Sequence, residues 1–180
     1  MENAIVCRVE GNRSIEEYIK LGIAAMKTGE VAIARANFLL GAELGSGHAM
    51  YFLAMLADED DDQPQCVEWL RKAVLTGHSD ASYNLGVIEE ENGNIQEAIR
   101  LYENAAKSGN SSAMNNLGVI AFKSGDLSLA KRWYLAAAQA GDQDSMLSLA
   151  QIANDEGDLD EARKWTKRAG VGSGKVEFRD

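Results

Sequence analysis

The chain has little of what most folds use to change direction or to form cross-links. Of its 180 residues, one is proline and two are cysteine, and aromatic residues make up 7%. Scarce proline favours helices, because proline interrupts helix interiors. Few aromatics with abundant alanine and glycine suit close helix–helix contact better than a sheet sandwich. With 46% apolar residues, the composition predicts an all-α protein with a packed core.

Basic residues, long apolar runs and paired cysteines are scarce too. Lys and Arg number 18 against 28 Asp and Glu, for a formal net charge of -10. An acidic surface repels nucleic acids and anionic membranes, so neither is an expected partner, whereas a neutral or basic protein segment is tolerated. No apolar run approaches the roughly 20 residues that cross a bilayer, and residues 1–13 lack a secretion signal. With Cys7 and Cys66 as the only cysteines, we expect a reducing, cytoplasmic compartment.

What the chain has instead is a period of 32 residues. In each copy a leucine is followed directly by Gly or Ala. Further along come a residue at a turn, two small residues and the residue that ends the copy. The leucines are Leu21, Leu53, Leu85, Leu117 and Leu149; the turn column reads Gly29, Asp61, Gly93, Gly125 and Gly157; the closing column reads Gly45, Gly77, Gly109, Gly141 and Ser173. Five copies in register indicate a repeat array with its core between neighbours. Such arrays usually bind and rarely catalyse, so we predict no catalytic, cofactor or metal site.

Each copy is predicted to be a pair of helices. In copy four, Asn110 caps the first helix, Gly125 ends it in a left-handed conformation and Asp126 caps the second. The other first helices are predicted to start at Ser14, Ser46, His78 (or Ser79) and Asp142, and the other second helices at Glu30, Asp62, Asn94 and Asp158. Reciprocal capping boxes are predicted for three pairs, namely Ser14–Glu17, Asn94–Glu97 and Asp158–Glu161. Small residues such as Gly118 let the paired helices approach, and large ones such as Tyr134 fill the gaps.

Two segments carry a family likeness, Ala113-Met-Asn-Asn-Leu-Gly118 and Ala130 to Gly141, and copy three repeats it. They resemble tetratricopeptide repeats and the related Sel1-like repeats over residues 14–170. The period is shorter than the usual length of about 34, and the Gly-x-Gly insertion of Sel1-like loops is absent. The resemblance implies a right-handed α-solenoid superhelix of five helix-turn-helix repeats. Residues 1–13 are then expected to form an N-terminal arm, and residues 171–180 a flexible C-terminal tail.

The same resemblance implies a groove lined by first helices that holds a peptide or helix of another protein. Carried over by position, the predicted peptide-binding residues are Tyr83, Asn84, Val87, Asn115, Asn116, Val119, Phe122 and Lys123. An asparagine in the column of Asn84 and Asn116 suits a peptide backbone, because its amide both donates and accepts; bracing of adjacent helices is the alternative. Lys123 shares with Lys27 a column where some relatives hold a C-terminal carboxylate.

Three other motifs are set aside. The acidic run Asp58–Asp62 lacks the glycine and glutamate that a calcium loop needs, and is predicted to be a solvated turn. His48 and His78 have no further ligands at metal-site spacing. The segment Gly170–Lys175 follows no strand, which excludes a phosphate loop.

The sequence is compatible with two functions. The first is a protein-binding adaptor or scaffold that uses the groove. The alternative is a structural or regulatory unit that self-assembles into a homo-oligomer through its end faces. The apolar segment Ala4–Val9 is expected either to cover copy one or to pair with another chain.

Overall fold

The computed structural model describes residues 13–170, which hold ten α-helices and no strand. The helices are α1 (Ile15–Lys27), α2 (Val31–Glu43), α3 (Gly47–Glu59), α4 (Gln63–Leu75), α5 (Ser79–Glu91), α6 (Ile95–Lys107), α7 (Ser111–Lys123), α8 (Leu127–Gln139), α9 (Gln143–Asp155) and α10 (Leu159–Arg168). The predicted all-α class of five helix pairs is confirmed. Residues 1–12 and 171–180 lie outside the described range, and with them most of the predicted arm, the predicted tail, Cys7 and Ser173.

The chain divides into two compact units, 1–76 and 77–180. The first contains α1 to α4 and the second α5 to α10, so the boundary falls at the end of copy two and divides no helix pair. Within each unit the two helices of a copy make the most extensive contacts, and the second helix of one copy packs on the first helix of the next. Each unit therefore buries its core both inside and between its copies.

The predicted N-cap positions are confirmed at all ten described helices, and the cap side chain accepts a backbone bond at eight of them; Glu30 and Asn94 make no such bond. Ser14 and Glu17 form the predicted capping box, with Ser14 N donating to Glu17 Oε2 at 2.8 Å and Glu17 N donating to Ser14 Oγ at 3.3 Å. His78 caps α5 through its ring, since Nδ1 accepts from Ala81 N at 3.3 Å. These bonds satisfy backbone donors that a helix start otherwise leaves unpaired.

The predicted capping box between Asn94 and Glu97 is wrong. Asn94 makes no side-chain capping bond; its Nδ2 instead donates to Glu89 Oε2 at 2.7 Å, and Glu97 pairs with Arg100. The reason is Glu89, a buried carboxylate in a column where the other copies carry alanine. A buried carboxylate needs a hydrogen-bond donor. The Asn94 amide supplies one, whereas an ionised aspartate, which stands at this position in three other copies, has no donor to offer.

The Asp158–Glu161 box forms in one direction. Asp158 Oδ1 accepts from Glu161 N at 3.0 Å, as predicted. The Glu161 carboxylate pairs with Lys164 at 3.0 Å, and the Asp158 backbone N–H donates to Ala153 O at 2.9 Å. The salt bridge and the helix-end bond thus replace the second half of the box.

The turns inside the copies follow the left-handed geometry that the glycine column predicts. After α7, Gly125 has φ +85°, and Asp126 N donates back to Ala121 O at 3.0 Å, which closes the helix end. Copy two departs from this pattern, because Asp61 occupies the same place with φ +57°. A residue with a Cβ is strained there, so the acidic turn of copy two carries a backbone cost that the glycine turns avoid.

A glycine facing an aromatic ring sets the distance between paired helices. A Cβ on Gly22 would lie 2.4 Å from Phe38 Cε1, one on Gly86 2.7 Å from Tyr102 Cε1, and one on Gly118 2.6 Å from Tyr134 Cδ1. In copies two and five the glycine is Ala54 or Ala150, and the residue in the ring column is Leu70 or Thr166. Each copy therefore has either a glycine facing a ring or an alanine facing a smaller side chain, which is how the predicted close approach is achieved.

The remaining core follows the small-residue columns. Cys66 is 2% exposed and fills a position in the small-residue column, and burial raises the pKa of its thiol, with a further contribution from the negative charge of Asp58. The tryptophans share one column and pack on the core: Trp165 is buried in the core of copies four and five, and Trp69 and Trp133 pack half-buried against the cores.

We expect Gly118→Ala to lower the free energy of unfolding by about 1–2 kcal/mol. Overpacking against Tyr134 costs about 1–3 kcal/mol, which exceeds the gain of about 1 kcal/mol from replacing a helical glycine. Urea denaturation measures the change. Adding Tyr134→Leu, the pairing that copy two uses, is expected to remove the penalty; an equal loss in both backgrounds would show that the ring is not its cause.

We expect Asp61→Gly to raise the free energy of unfolding by about 0.5–1 kcal/mol, because glycine adopts the left-handed conformation without strain. Thermal unfolding followed by circular dichroism measures the shift. Asp61→Ala is the matched control, since it removes the same charge but keeps the Cβ. Stabilisation by alanine as large as that by glycine would identify charge repulsion, not backbone strain, as the cost.

Candidate functional site

All eight predicted groove residues lie in the second unit, on α5 and α7. The starts of these two helices are joined by Asn110 Nδ2, which donates to Asp80 Oδ1 at 3.3 Å. Helix α7 is joined in turn to α9, because Ser145 Oγ donates to Asn115 Oδ1 at 2.8 Å. The first helices of this unit therefore lie side by side. We call their shared surface, carried by α5, α7 and α9, the first-helix face.

Asn116 takes part in a polar link between copies three and four. Its side chain hydrogen-bonds to the Tyr102 hydroxyl of α6. The same hydroxyl donates to Glu90 Oε2 at 2.9 Å. Burial and the bond to Glu90 raise the pKa of Tyr102, and the bond from Asn116 opposes that rise. The phenol therefore stays protonated and serves as both donor and acceptor.

A similar link recurs one copy later. Tyr134 of α8 hydrogen-bonds to Ser148 of α9, and burial raises the pKa of this phenol as well, with the serine bond opposing the rise. In the first unit the equivalent ring is Phe38, which has no hydroxyl, and the equivalent partner is Phe52, stacked on it with centroids 4.7 Å apart. Where the ring carries a hydroxyl, the next copy supplies a polar partner; where it does not, the next copy supplies a ring.

The amides of the site are thus only partly committed to the fold. Asn116 contacts the Tyr102 hydroxyl of α6, which fits the bracing alternative stated for Asn84 and Asn116, and Asn115 accepts a hydrogen bond from Ser145 of α9. Each amide can donate twice and accept more than once, so these bonds leave capacity for a further partner. Both side chains are half-buried, as is that of Asn84, which also interacts within the chain. The peptide-binding role of the asparagines stays a prediction.

The apolar members of the site divide into two groups. Tyr83 and Val87 pack half-buried against the core that contains Tyr102, and the Tyr83 ring centroid lies 6.0 Å from that of Tyr102. Val119 packs against the core of copies four and five. Phe122, by contrast, is 52% exposed at the end of α7, and the neighbouring Lys123 is exposed too. The face therefore offers one accessible ring beside one accessible cation.

The chemistry of this face suits binding. Its groups are amides, hydroxyls, apolar side chains and single charges. Across residues 13–170, no group of three or more His, Cys, Asp or Glu is arranged to hold a metal ion. No helix in that range has the length and apolar character needed to cross a membrane.

The acidic run of copy two is used within the fold. Asp62 Oδ1 caps α4 by accepting from Gln65 N at 3.1 Å, and Asp60 pairs with Arg35 at 2.6 Å. Asp58 accepts from Gln63 Nε2 at 2.9 Å. The predicted turn thus has the structural contacts of a helix end and start, with its acids on the exposed surface.

Sequence reasoning missed three residues that support the site: Glu90, Tyr102 and Ser145. A signal for the tyrosine was present, because Tyr102 and Tyr134 each follow a Leu–Gly pair by sixteen residues. The polar column of Asn116 and Ser148 follows these tyrosines by fourteen residues in both copies. Reading the two columns together predicts a hydroxyl-to-polar contact across the copy boundary.

Comparison with known proteins agrees with this architecture. Tetratricopeptide repeat models match residues 65–111, 83–145 and 143–166, and a Sel1 repeat model matches residues 34–78. No curated protein matches the sequence.

Several solved structures share the fold. A Sel1 repeat protein from Oxalobacter formigenes has a TM-score of 0.77 at 23% identity, over 87% of this chain and 73% of that one. A protective antigen of uropathogenic Escherichia coli with an SLR fold has a TM-score of 0.74 at 24% identity, over 87% of this chain. PilF of Pseudomonas aeruginosa has a TM-score of 0.67 at 20% identity, over 90% of this chain and 78% of that one. This chain spans 38% of the length of the antigen.

Together the tetratricopeptide repeat matches run from residue 65 to residue 166, more than half of the chain, and the Sel1 match extends them to residue 34. The helix pairs, the left-handed turns and the small-residue columns agree with these matches. The chain therefore belongs to the tetratricopeptide and Sel1-like repeat proteins.

Proposed function

We propose that this protein is a non-enzymatic scaffold that holds a peptide or helical segment of a partner protein on its first-helix face. Repeat proteins of this family generally bind other proteins. The observation that carries the proposal is the combination on α5 and α7 of half-buried amides with the exposed Phe122 and Lys123. Exposed aromatics beside polar groups that still have hydrogen-bonding capacity are common anchors for protein segments.

The three groups have separate tasks in this proposal. The Asn84 and Asn116 amides contact the backbone of the bound segment, and Phe122 contacts one of its apolar side chains. Lys123 contacts a carboxylate, either a side chain or a chain end. The net charge of -10 favours a neutral or basic segment overall. The reducing, cytoplasmic compartment expected from the cysteines stays a prediction.

We expect Asn84→Ala with Asn116→Ala to abolish partner capture while helical content is retained. Affinity capture from the native cell extract followed by mass spectrometry measures the loss, and circular dichroism measures the helices. Gln96→Ala with Gln139→Ala is the matched control, because these exposed amides lie on the second helices of the same unit.

A further variant separates bracing from binding. Tyr102→Phe removes the hydroxyl that Asn116 contacts, and it is expected to cost about 1–2 kcal/mol of stability because two polar partners lose their bond. It leaves both amides in place, so capture is expected to persist. Capture that survives the double asparagine change, or that is lost equally in Tyr102→Phe, would contradict a peptide-binding role for these asparagines.

A second function is favoured by one observation at the start of the array. Leu21 is 41% exposed, whereas the equivalent leucines of the other copies are between 1% and 8% exposed. Ile15 and Val31 nearby are also exposed. In this alternative the apolar face of copy one joins a second copy of the chain, which buries Leu21 as its equivalents are buried.

We expect Leu21→Glu to abolish this self-association, because a charge in an apolar interface is costly to bury. Light scattering over about a hundredfold range of concentration measures the mass, which is expected to rise for the unmodified chain and to stay monomeric for the variant. Leu75→Glu is the control, since Leu75 is 88% exposed on α4 of the same unit. A monomer mass at every concentration of the unmodified chain rejects the alternative.

A further inference from the structure

The first unit contains an open cleft of about 290 Å³ that the proposed function does not use. It lies between α2 and α4, with Leu53 of α3 at its base. Its lining residues are Arg35, Leu39, Leu53, Gln65, Glu68 and Trp69. Leu53 is 1% exposed and Leu39 is 39% exposed, so the cleft runs from the apolar core to the surface. This volume is at the lower end of the roughly 300–1,000 Å³ of ligand pockets, which suits one or two side chains.

The cleft is open because two of its walls are long polar side chains with partners elsewhere. Arg35 donates through Nη2 to Asp60 Oδ2 at 2.6 Å, and Gln65 donates through Nε2 to Asp62 Oδ2 at 3.4 Å. Both side-chain ends are thereby held by the acidic turn that follows α3. The turn fixes the walls, and the space over Leu53 is left free.

Copies three and four fill the same positions differently, whereas copies four and five again carry two polar residues there, Lys131 and Glu161. In the second unit the residues equivalent to Arg35 and Gln65, counted two copies later, are Ile99 and Leu129. Both pack half-buried against the apolar cores of that unit. Ile99 and Leu129 thus point toward the core, whereas the ends of Arg35 and Gln65 point away from it toward the acidic turn. The cleft therefore lies at a copy boundary where both positions hold polar residues whose ends are bound by the acidic turn.

The cleft is lined by one base, Arg35, and one acid, Glu68, and the chain segment beside it is acidic. Between residues 57 and 76 there are six acids and two bases. The Glu68 and Asp60 side chains are 64% and 58% exposed at the rim, and Lys72 is engaged, with its Nζ 2.6 Å from Glu68 Oε1 and 4.1 Å from the centroid of the Trp69 ring. Three copies later the residue equivalent to Glu68 is Lys164, and Arg168 lies 5.2 Å from the Trp165 ring. The acidic rim is thus particular to the first unit.

We propose that this cleft is a second binding site, for a segment of another protein that presents an apolar side chain flanked by Lys or Arg. The apolar side chain enters between Leu39 and Trp69 and rests on Leu53. The flanking cations face Glu68 and the exposed acids of the turn, whose charge is complementary. Burial of an aliphatic anchor supplies affinity, and the rim charges speed association and reject acidic segments.

The site is independent of the first-helix face. Its residues all belong to the first unit, whereas those of the face belong to the second. The two proposals therefore fail separately: variants of the cleft leave Asn84, Asn116 and Phe122 intact, and variants of the face leave the cleft intact.

The test is an NMR titration of the full chain with an acetylated, amidated hexapeptide of sequence Arg-Arg-Leu-Leu-Arg-Arg. We expect saturable shifts of the Trp69 indole N–H and of the Leu39 and Leu53 methyl groups. We expect Leu39→Gln to weaken binding by about tenfold or more, since it places a polar group in the apolar wall. Leu135→Gln is the matched control, because Leu135 has the equivalent position in copy four and is 40% exposed, and it is expected to leave the affinity unchanged.

Charge is tested separately from the apolar contact. We expect Glu68→Lys, which introduces the residue type of copy five, to weaken binding, and added salt to reduce the difference between the variant and the unmodified chain. Several results overturn the proposal. They are equal binding of Glu-Glu-Leu-Leu-Glu-Glu, equal loss in Leu39→Gln and Leu135→Gln, shifts confined to Phe122 and Lys123, and cleft shifts that follow protein concentration without peptide.

Discussion

The contact between a glycine of the first helix and a ring of the second is the constraint on which the rest of this structure depends. A Cβ at Gly22, Gly86 or Gly118 would lie well inside the contact distance of the facing ring. Without that Cβ, the helix axes approach until the ring fills the space, and the alanine and cysteine columns pack at the same separation. Copies two and five reach a similar end with an alanine against a smaller side chain.

This packing constraint also positions the polar groups of the first-helix face. Because the Tyr102 ring lies against Gly86, its hydroxyl meets Glu90 in its own copy and Asn116 in the next. The ring is an apolar spacer at one end and a hydrogen-bonding group at the other. Asn116 is thus oriented from beneath by the core, which would reduce the entropy that its side chain loses in the proposed binding of a partner.

The helix pairs, the turns and the caps could be predicted from the sequence because their causes are local. An N-cap such as Asp126 bonds a backbone N–H three residues away, and a glycine such as Gly125 adopts its φ whatever surrounds it. The cap at Asn94 could not be predicted in this way, since its amide is bound by a buried carboxylate on the preceding helix. A local rule applies only while no buried group competes for the same side chain.

The candidate site and the cleft were predictable to different degrees. Family likeness placed the asparagines on first helices, and the structure brings them into one unit, but their bonds to Tyr102 and Ser145 join residues 14 and 30 positions apart. The cleft depends on the orientation of the Arg35 and Gln65 side chains, which is set by their hydrogen bonds to the acidic turn. Position within a repeat can be counted along a sequence, whereas the direction of a long polar side chain depends on its partners in space.

The pairing of small and large columns has a consequence for how such a gene can change its length. Copies three and four both pair a glycine with a tyrosine. Unequal recombination between them therefore yields a copy with a glycine facing a tyrosine, wherever the breakpoint lies. Recombination between copies two and three inside a copy can place Ala54 before Tyr102, and a methyl group then meets a ring where the structure has room for none. Selection for packing therefore favours exchange between unlike copies in the segments outside each Gly–ring pair.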